Sequence, residues 1–248
     1  MSTRKRSNKR NHRPGSGPEA GPDSRQNRAK KTGENPNSGS QREIQPESAQ
    51  KERGNWLFGT HAVMAALANP NRKCNRLLVT TDVLRRMEAE LRDIVPSNVF
   101  VEKSDRGTIS SLLAPDSVHQ GIALDCQPLE NMALEDVLAR HKEGDSIVVV
   151  LDQITDPHNV GAILRSAAGF GAHAVIMQDR NAPPLTGTLA KSASGALELL
   201  PLVRVTNLAR TLEQLANNDY WRIGLDASAK QTLAQSQPGK RTALVMGA

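Results

Sequence analysis

Aromatic side chains are nearly missing from this sequence. Six occur among 248 residues: Trp56, Phe58, Phe100, Phe170, Tyr220 and Trp221. A protein that grips single-stranded nucleic acid by stacking bases on rings uses more of them. Cysteine is as scarce, with only Cys74 and Cys126. Two thiols exclude a disulfide scaffold, a four-thiolate zinc site and an iron–sulfur cluster, and they suit a reducing compartment. Long apolar runs are absent too: the longest, Ala62–Ala68, has seven residues, mostly alanine, far short of a bilayer span. The N-terminus is basic, but no apolar stretch of the kind a secretory signal carries follows it. The histidines (His12, His61, His119, His141, His158, His173) show no i, i+4 pair and no cysteine at ligand spacing, so no metal site is expected. No serine stands in a G-x-S-x-G elbow. Pro238-Gly239-Lys240 lacks the rest of a phosphate-binding Walker loop.

What charge there is sits unevenly. The chain carries 32 Lys+Arg and 26 Asp+Glu, a net +6. Residues 1–53 hold 13 of the basic and 6 of the acidic side chains, which leaves 19 basic and 20 acidic for the remainder. The basic excess is therefore all in the tail. That tail has five apolar residues and no aromatic. It cannot bury enough surface to offset the entropy of ordering, so residues 1–53 are expected to be disordered. Arg4-Lys5-Arg6 and Lys9-Arg10 suit phosphate contact by counterion release; a solubilising tail with no specific partner has the same composition. Deleting Met1–Glu52 is expected to leave the melting transition unchanged and to weaken nucleic-acid binding most at low salt. Titrations at two salt concentrations check this. An equal loss at both would point to a specific tail contact instead.

From Trp56 onward, helix and strand signals alternate. Thr60–Leu67 reads as a helix stopped by Asn69-Pro70, Arg76–Thr80 as a strand, and Asp82–Ile94 as a helix with Val83, Leu84, Met87 and Leu91 on one face. Strands follow at 99–101 and 121–124, with a helix over 104–113 between them. Residues 54–127 thus form a small α/β unit, and 128–145 a polar linker with one helix at 134–140. A second unit, 146–248, opens on the continuous apolar strand Ile147–Leu151, of the kind buried on both faces of a parallel sheet. Asp156-Pro157 is a cap followed by a first-turn proline, and Val160, Ile163, Leu164 and Ala167 make that helix's core stripe. Strands are expected at 173–177, 200–205, 221–225 and 243–246, and helices at 187–193 and 208–216. This alternation predicts a parallel sheet with right-handed crossovers, whose ligands bind outside the carboxyl ends of the strands. Those ends are the loops at 152–158, 178–186, 226–229 and 247–248. Gly169-Phe170-Gly171-Ala172-His173-Ala174 mimics a dinucleotide fingerprint, but it leaves a helix rather than a strand and is better read as a glycine C-cap. Lys191 reads as a solvated helix lysine.

The informative stretch is Leu151–Ala167, a strand, a polar loop and a helix. Asn159 in the first turn and Arg165 further along both lie off the core stripe. An arginine near a helix N-terminus at the rim of a parallel sheet suits a phosphate-bearing ligand; an ordinary exposed helix arginine leaves the same trace. This stretch closely resembles the first signature motif of the SpoU/TrmH class of SPOUT RNA ribose 2′-O-methyltransferases. Ala190–Glu198 with Pro201 is similar to the family's following segment, and Ala243–Ala248 to the start of its second motif. Gly54–Cys126, with Gly59-Thr60-His61-Ala62-Val63 and Val118-His119-Gln120-Gly121-Ile122-Ala123, is similar to the substrate domain that precedes the catalytic one in the 23S rRNA guanosine-2′-O-methyltransferase type.

The resemblance implies an α/β chain: a small RNA-binding domain, then a parallel-sheet domain of the trefoil-knot type. It implies an enzyme that uses S-adenosyl-L-methionine to methylate a ribose 2′-hydroxyl in RNA, a guanosine of large-subunit rRNA. It implies a cytoplasmic homodimer whose partner is rRNA, with no membrane and no metal. Arg165 and Asn159 are the catalytic residues it points to, and Gly247, Ala248, Asp226 and Ala227 the cofactor-binding ones. The family's second motif continues past Gly-Ala and a third follows it, so the chain reads as C-terminally incomplete. A non-catalytic rRNA-binding protein, or an inactive fragment of such an enzyme, is the alternative. A Rossmann-type nucleotide enzyme is opposed by the absence of a glycine fingerprint after any strand.

Overall fold

A computed structural model describes residues 55–180, 182–185 and 187–247. The tail, and with it the expectation that residues 1–53 are disordered, lies outside them. Strands Trp56–Phe58 (β1), Cys74–Val79 (β2), Phe100–Lys103 (β3) and Ile122–Cys126 (β4) form a sheet in the order β1-β4-β2-β3. β2 and β3 run parallel, while β4 is antiparallel to both β1 and β2. β1, three residues long, is too short for a period of two to show in sequence. Helix α1 (Thr60–Ala68) stops at Asn69, held extended before Pro70. The helix expected over 82–94 is two helices, α2 (Thr81–Arg86) and α3 (Glu88–Ile94), parted at Met87 (φ −115°, ψ 18°). Met87 is buried in one cluster with Val83 and Leu91, so tertiary packing overrides the segment's even helix propensity. Helix α4 (Arg106–Leu112) is capped by Asp105, whose Oδ1 accepts the Thr108 amide at 3.0 Å. Its Ile109 covers the other face of the sheet, against Phe58, Leu78 and Ala123.

Strands Ser146–Asp152 (β5), Ala174–Gln178 (β6), Leu202–Val205 (β7), Trp221–Leu225 (β8) and Arg241–Gly247 (β9) form a second sheet, ordered β7-β6-β5-β9-β8 and parallel at every pairing. The continuous apolar run of β5 is buried on both faces, as a central parallel strand requires. Val148 and Val150 pack with Val137 of α5 (Leu134–Arg140) and with Leu208 and Leu215 of α9 (Leu208–Asn217). Val149 and Leu151 face Val160 and Leu164 of α6 (Pro157–Gly169) and Leu189 of α7 (Gly187–Ala193). Gly171, at φ 71°, turns the chain out of α6 toward β6, which fits the C-cap reading of that glycine pair. The strand expected from Leu200 begins at Leu202, because Leu200 closes a short helix, α8 (Ala196–Leu199), by donating to the Ala196 carbonyl at 3.0 Å.

The apolar cluster that lines the α6 side of the parallel sheet continues through Ala62, Val63 and Ala66 of α1 to Leu57 and Leu77 of the first sheet. Small residues set this approach. Gly195 has φ 90°, and a Cβ there would lie 2.7 Å from the Ala65 Cβ of α1. A Cβ on Gly161 would meet the Ser192 backbone carbon at 2.8 Å, so α6 and α7 could not cross so closely with alanine there. Within the seam Arg72 and Glu198 form an ion pair of 2.9 Å. Cys74 and Cys126 face each other across β2 and β4 as free buried thiols, and burial pushes the Cys126 thiol up to about 12. Among the described residues no helix is long and apolar enough to cross a membrane.

Candidate active site

The carboxyl end of the parallel sheet forms the rim to which the candidate site residues belong. The chain leaves β5 through α6 toward β6, and it reaches β9 from β8 on the opposite side. The carboxyl ends of β5 and β9 therefore lie side by side at the rim where parallel α/β sheets bind ligands. Asp152 and Gly247 are register partners at this point, and Leu225 pairs with Met246, which puts Asp226 at the same level. Space around Gly247 is open: a Cβ placed on it would meet nothing within 4 Å. Asp226 is exposed, and its Oδ1 accepts both the Ser228 amide and the Ser228 hydroxyl at 2.6 Å. These bonds hold its carboxyl below the usual carboxylate range and leave Oδ2 without a protein donor among the described residues. Ala227 follows it on the same exposed loop, and Ala248 lies outside the described residues.

Between β5 and β6 the same rim holds a cleft lined by Gln153, Ile154, Thr155, Gln178, Arg180 and Ala182. Gln153 leaves β5 at φ 58°, a left-handed conformation that a non-glycine residue takes only under constraint. The cleft's outer loop is pinned by Arg204, which donates to Asp179 Oδ1 at 3.1 Å and to the Pro183 carbonyl at 3.0 Å. Gln153 and Arg180 were not singled out from sequence. Their signal was only that each stands just past the end of a parallel strand.

Helix α6 begins at this rim because Asp156 accepts the His158 amide at 2.9 Å and Pro157 supplies the first helical position. Val160, Leu164 and Ala167 are buried, while Asn159 and Arg165 are exposed. Arg165 is six residues past Asn159, about 9 Å along the axis and roughly a third of a turn apart around it. The two do not bond each other, and neither side chain has a protein partner among the described residues. The structure thus sets Asn159 at the rim and Arg165 on an adjoining exposed strip, both open to an incoming ligand. The loop ends named as cofactor-binding gather at the β8–β9 end instead.

Beside the start of α6 lies the seam with the first sheet. Ser192 donates from its hydroxyl to the His158 carbonyl at 3.1 Å. Lys191, expected to be a solvated lysine, is half-buried here, its stem running past Gly59. His119 is buried, with Nδ1 accepting the Gly121 amide and Nε2 3.1 Å from the Ser110 hydroxyl. The acceptor role fixes the neutral ring's proton on Nε2. Burial first, then Arg106 and Lys191, holds this imidazole below its usual range. Burial and the neighbouring His173 do the same to His141. A depressed native value means that the unfolded chain binds the proton first. The stability these rings contribute is whole above about pH 6.5 and is lost as pH falls toward the native values. Urea unfolding across that window is expected to show the loss. His119→Gln, which keeps an acceptor for Gly121, should flatten the slope in part, with His141 supplying the rest. An unaltered slope would contradict this account.

Comparison with known proteins decides what this arrangement belongs to. The SpoU rRNA Methylase family matches residues 146–248, and the family described as RNA 2′-O ribose methyltransferase substrate binding matches residues 56–132. The 23S rRNA (guanosine-2′-O-)-methyltransferase RlmB of Vibrio cholerae is 36% identical over 196 residues, 77% of this chain and 78% of that protein. The chain belongs to the SpoU rRNA methylase family. RlmB of Pseudomonas putida is 35% identical, over 77% of this chain and 78% of the relative. A tRNA/rRNA methyltransferase of Synechocystis is 33% identical over 77% of this chain, and the chain spans 50% of that longer relative. The SpoU methyltransferase AviRb of Streptomyces viridochromogenes, solved with AdoMet, superposes with a TM-score of 0.61 at 19% identity, covering 82% of this chain and 76% of that one. The fold is thus that of SpoU methyltransferases, α/β with a parallel sheet in the second half.

Proposed function

We propose that this chain methylates a ribose 2′-hydroxyl in RNA with S-adenosyl-L-methionine, and that its target is a guanosine of large-subunit rRNA, as the names of its RlmB relatives give for them. The carrying observation is that Asn159 and Arg165 stand exposed, with no side-chain partner among the described residues, on the helix that starts at the carboxyl end of the central strand β5. Residues 54–127 would present the RNA, 128–145 would link, and 146–248 would carry the reaction.

The residues at the β8–β9 end fit the methyl donor. Asp226 has a free carboxylate oxygen suited to ribose hydroxyls, and Gly247 leaves its backbone approachable. Bound there, S-adenosylmethionine would supply a methyl carbon already activated by positive sulfur; the C–S bond breaks as the O–C bond forms, S-adenosylhomocysteine leaves, and the hydroxyl proton passes to water. What remains for the protein is to align the ribose oxygen and ease the loss of its proton. A guanidinium is always protonated, so Arg165 cannot serve as a literal base. It clamps the neighbouring phosphate and stabilises negative charge developing on the oxygen. Asn159 orients the ribose, donating from its amide or accepting through its carbonyl.

Transfer of a tritiated methyl group to unmodified rRNA, with the product ribose identified by nuclease digestion, tests this reading. RNA binding without transfer would make the chain a non-catalytic rRNA-binding protein. A homodimer in the cytoplasm is part of the same reading. The edge strand β8 supports the dimer, since it leaves Trp221 60% and Leu225 42% exposed, and sedimentation at varied concentration tests it. The buried free thiols suit a reducing compartment.

A further inference from the structure

The seam between the two sheets carries basic side chains that form no ion pair among the described residues. Lys191 stands in α7, one residue before the serine that bonds the His158 carbonyl, and so beside the helix start that bears Asn159. A Cβ built on Gly59 would lie 3.2 Å from Lys191 Cγ, 3.5 Å from its Cδ and 3.3 Å from Gln120 Oε1. The lysine stem therefore threads between α7 and the turn that opens α1. Gln120 itself is committed to structure, accepting the Thr60 amide at 2.9 Å. Next to it, the buried His119 ring is held neutral and turned to Ser110 and Gly121. Arg106, at the exposed start of α4, stands one turn before Ser110, whose hydroxyl lies 3.1 Å from that ring, and both cations disfavour the ring's charged form. Ion pairs among the described residues are Arg72–Glu198, Arg76–Glu102, Arg92–Glu88 and Arg204–Asp179. Lys191 and Arg106 belong to none of them. Two cations outside those pairs stand here in a body that, beyond residue 53, has 19 basic against 20 acidic side chains.

We propose that Lys191 and Arg106 form a phosphate-binding station for the RNA strand at the seam, between the first sheet and the Asn159 rim. It rests on the RNA-methyltransferase reading and extends it. The strand would be held by its backbone on both units at once, so that the target ribose is delivered to a fixed place relative to α6. Half-burial suits the role: the lysine stem is anchored by packing, and only the ammonium remains to be ordered by the ligand. Backbone contact of this kind positions the RNA and carries no sequence information.

The test uses the whole chain and a fluorescein-labelled RNA stem-loop, titrated over a range of salt concentrations. Lys191→Met keeps the packed stem and removes the charge, whereas Lys191→Arg keeps the charge. Each lost phosphate contact should lower the slope of log K against log salt by about one, so Lys191→Met is expected to lower it by about one and Lys191→Met with Arg106→Gln by about two. Lys191→Arg should restore the wild-type slope, and the melting temperature should not move. A slope unchanged in Lys191→Met would overturn the proposal. So would an arginine variant as weak as the methionine one, since packing rather than charge would then be at work. Methyl transfer by the wild-type protein is measured alongside. Transfer with an unchanged slope sinks the station alone, and a lowered slope without any transfer sinks the methyltransferase reading while the station stands.

Discussion

Replacing Glu198 by alanine is expected to cost the fold about 3–5 kcal/mol. The side chains of Glu198 and Arg72 are 3% and 5% exposed and meet at 2.9 Å. Glu198 also accepts from the Asn69 side-chain amide at 2.8 Å, and Arg72 donates to the Gln127 carbonyl at 3.0 Å. Removing the carboxylate leaves a guanidinium that cannot be deprotonated, out of water, with a backbone carbonyl as its one remaining acceptor. The Arg72 Nε already lacks a partner in the intact structure, so nothing is held in reserve. Set against a total stability of roughly 5–15 kcal/mol, a loss of this size is a large fraction of the whole. Replacing both residues by methionine removes the stranded charge along with its partner and should recover most of the loss. Equilibrium urea unfolding of the three proteins measures this. A single-variant loss under about 1 kcal/mol would mean that water reaches the pair and that the seam is looser than its burial implies.

That ion pair shows where the sequence stops speaking. Helices whose periodicity and caps are local, such as α6 and α9, and strands with continuous apolar runs, such as β5, can be read from the chain because their determinants lie within a few residues. Met87 could not, since its break depends on Val83 and Leu91 finding a shared core. Strand order was out of reach for the same reason. No local feature places β9 between β5 and β8; that follows from the sheet's twist and from which faces need covering. At the site, the Asp156-Pro157 cap and the off-stripe positions of Asn159 and Arg165 were visible as pattern. The seam was not. Arg72 and Glu198 are 126 residues apart, and each alone looks like an ordinary surface charge. Lys191 reads as solvated because sequence cannot show that Gly59, at the turn that opens α1, lies against its stem.

Arg165→Lys is expected to lower methyl transfer about 10²–10³-fold, the range seen when one preorganised donor to a developing oxyanion is lost. The substitution keeps the charge and a long stem. It removes the planar fork, and with it the ability to hold a phosphate and reach the ribose oxygen together. Arg165 is exposed and has no hydrogen-bond or ion-pair partner among the described residues, so the melting temperature should stay within the scatter of surface substitutions. The stability readout thus separates this residue from Glu198, whose loss acts through the fold. Single-turnover transfer at saturating RNA and methyl donor isolates the chemical step from binding. If Arg165 acts mainly on the transition state, the rate constant falls while the donor's affinity, measured by calorimetry with S-adenosylhomocysteine, is unchanged. If it only clamps the ground-state phosphate, the apparent RNA affinity weakens and the saturated rate survives. A lysine variant with a near-wild-type saturated rate would remove Arg165 from the catalytic step and leave Asn159 and the Gln153–Arg180 cleft as the groups to vary next.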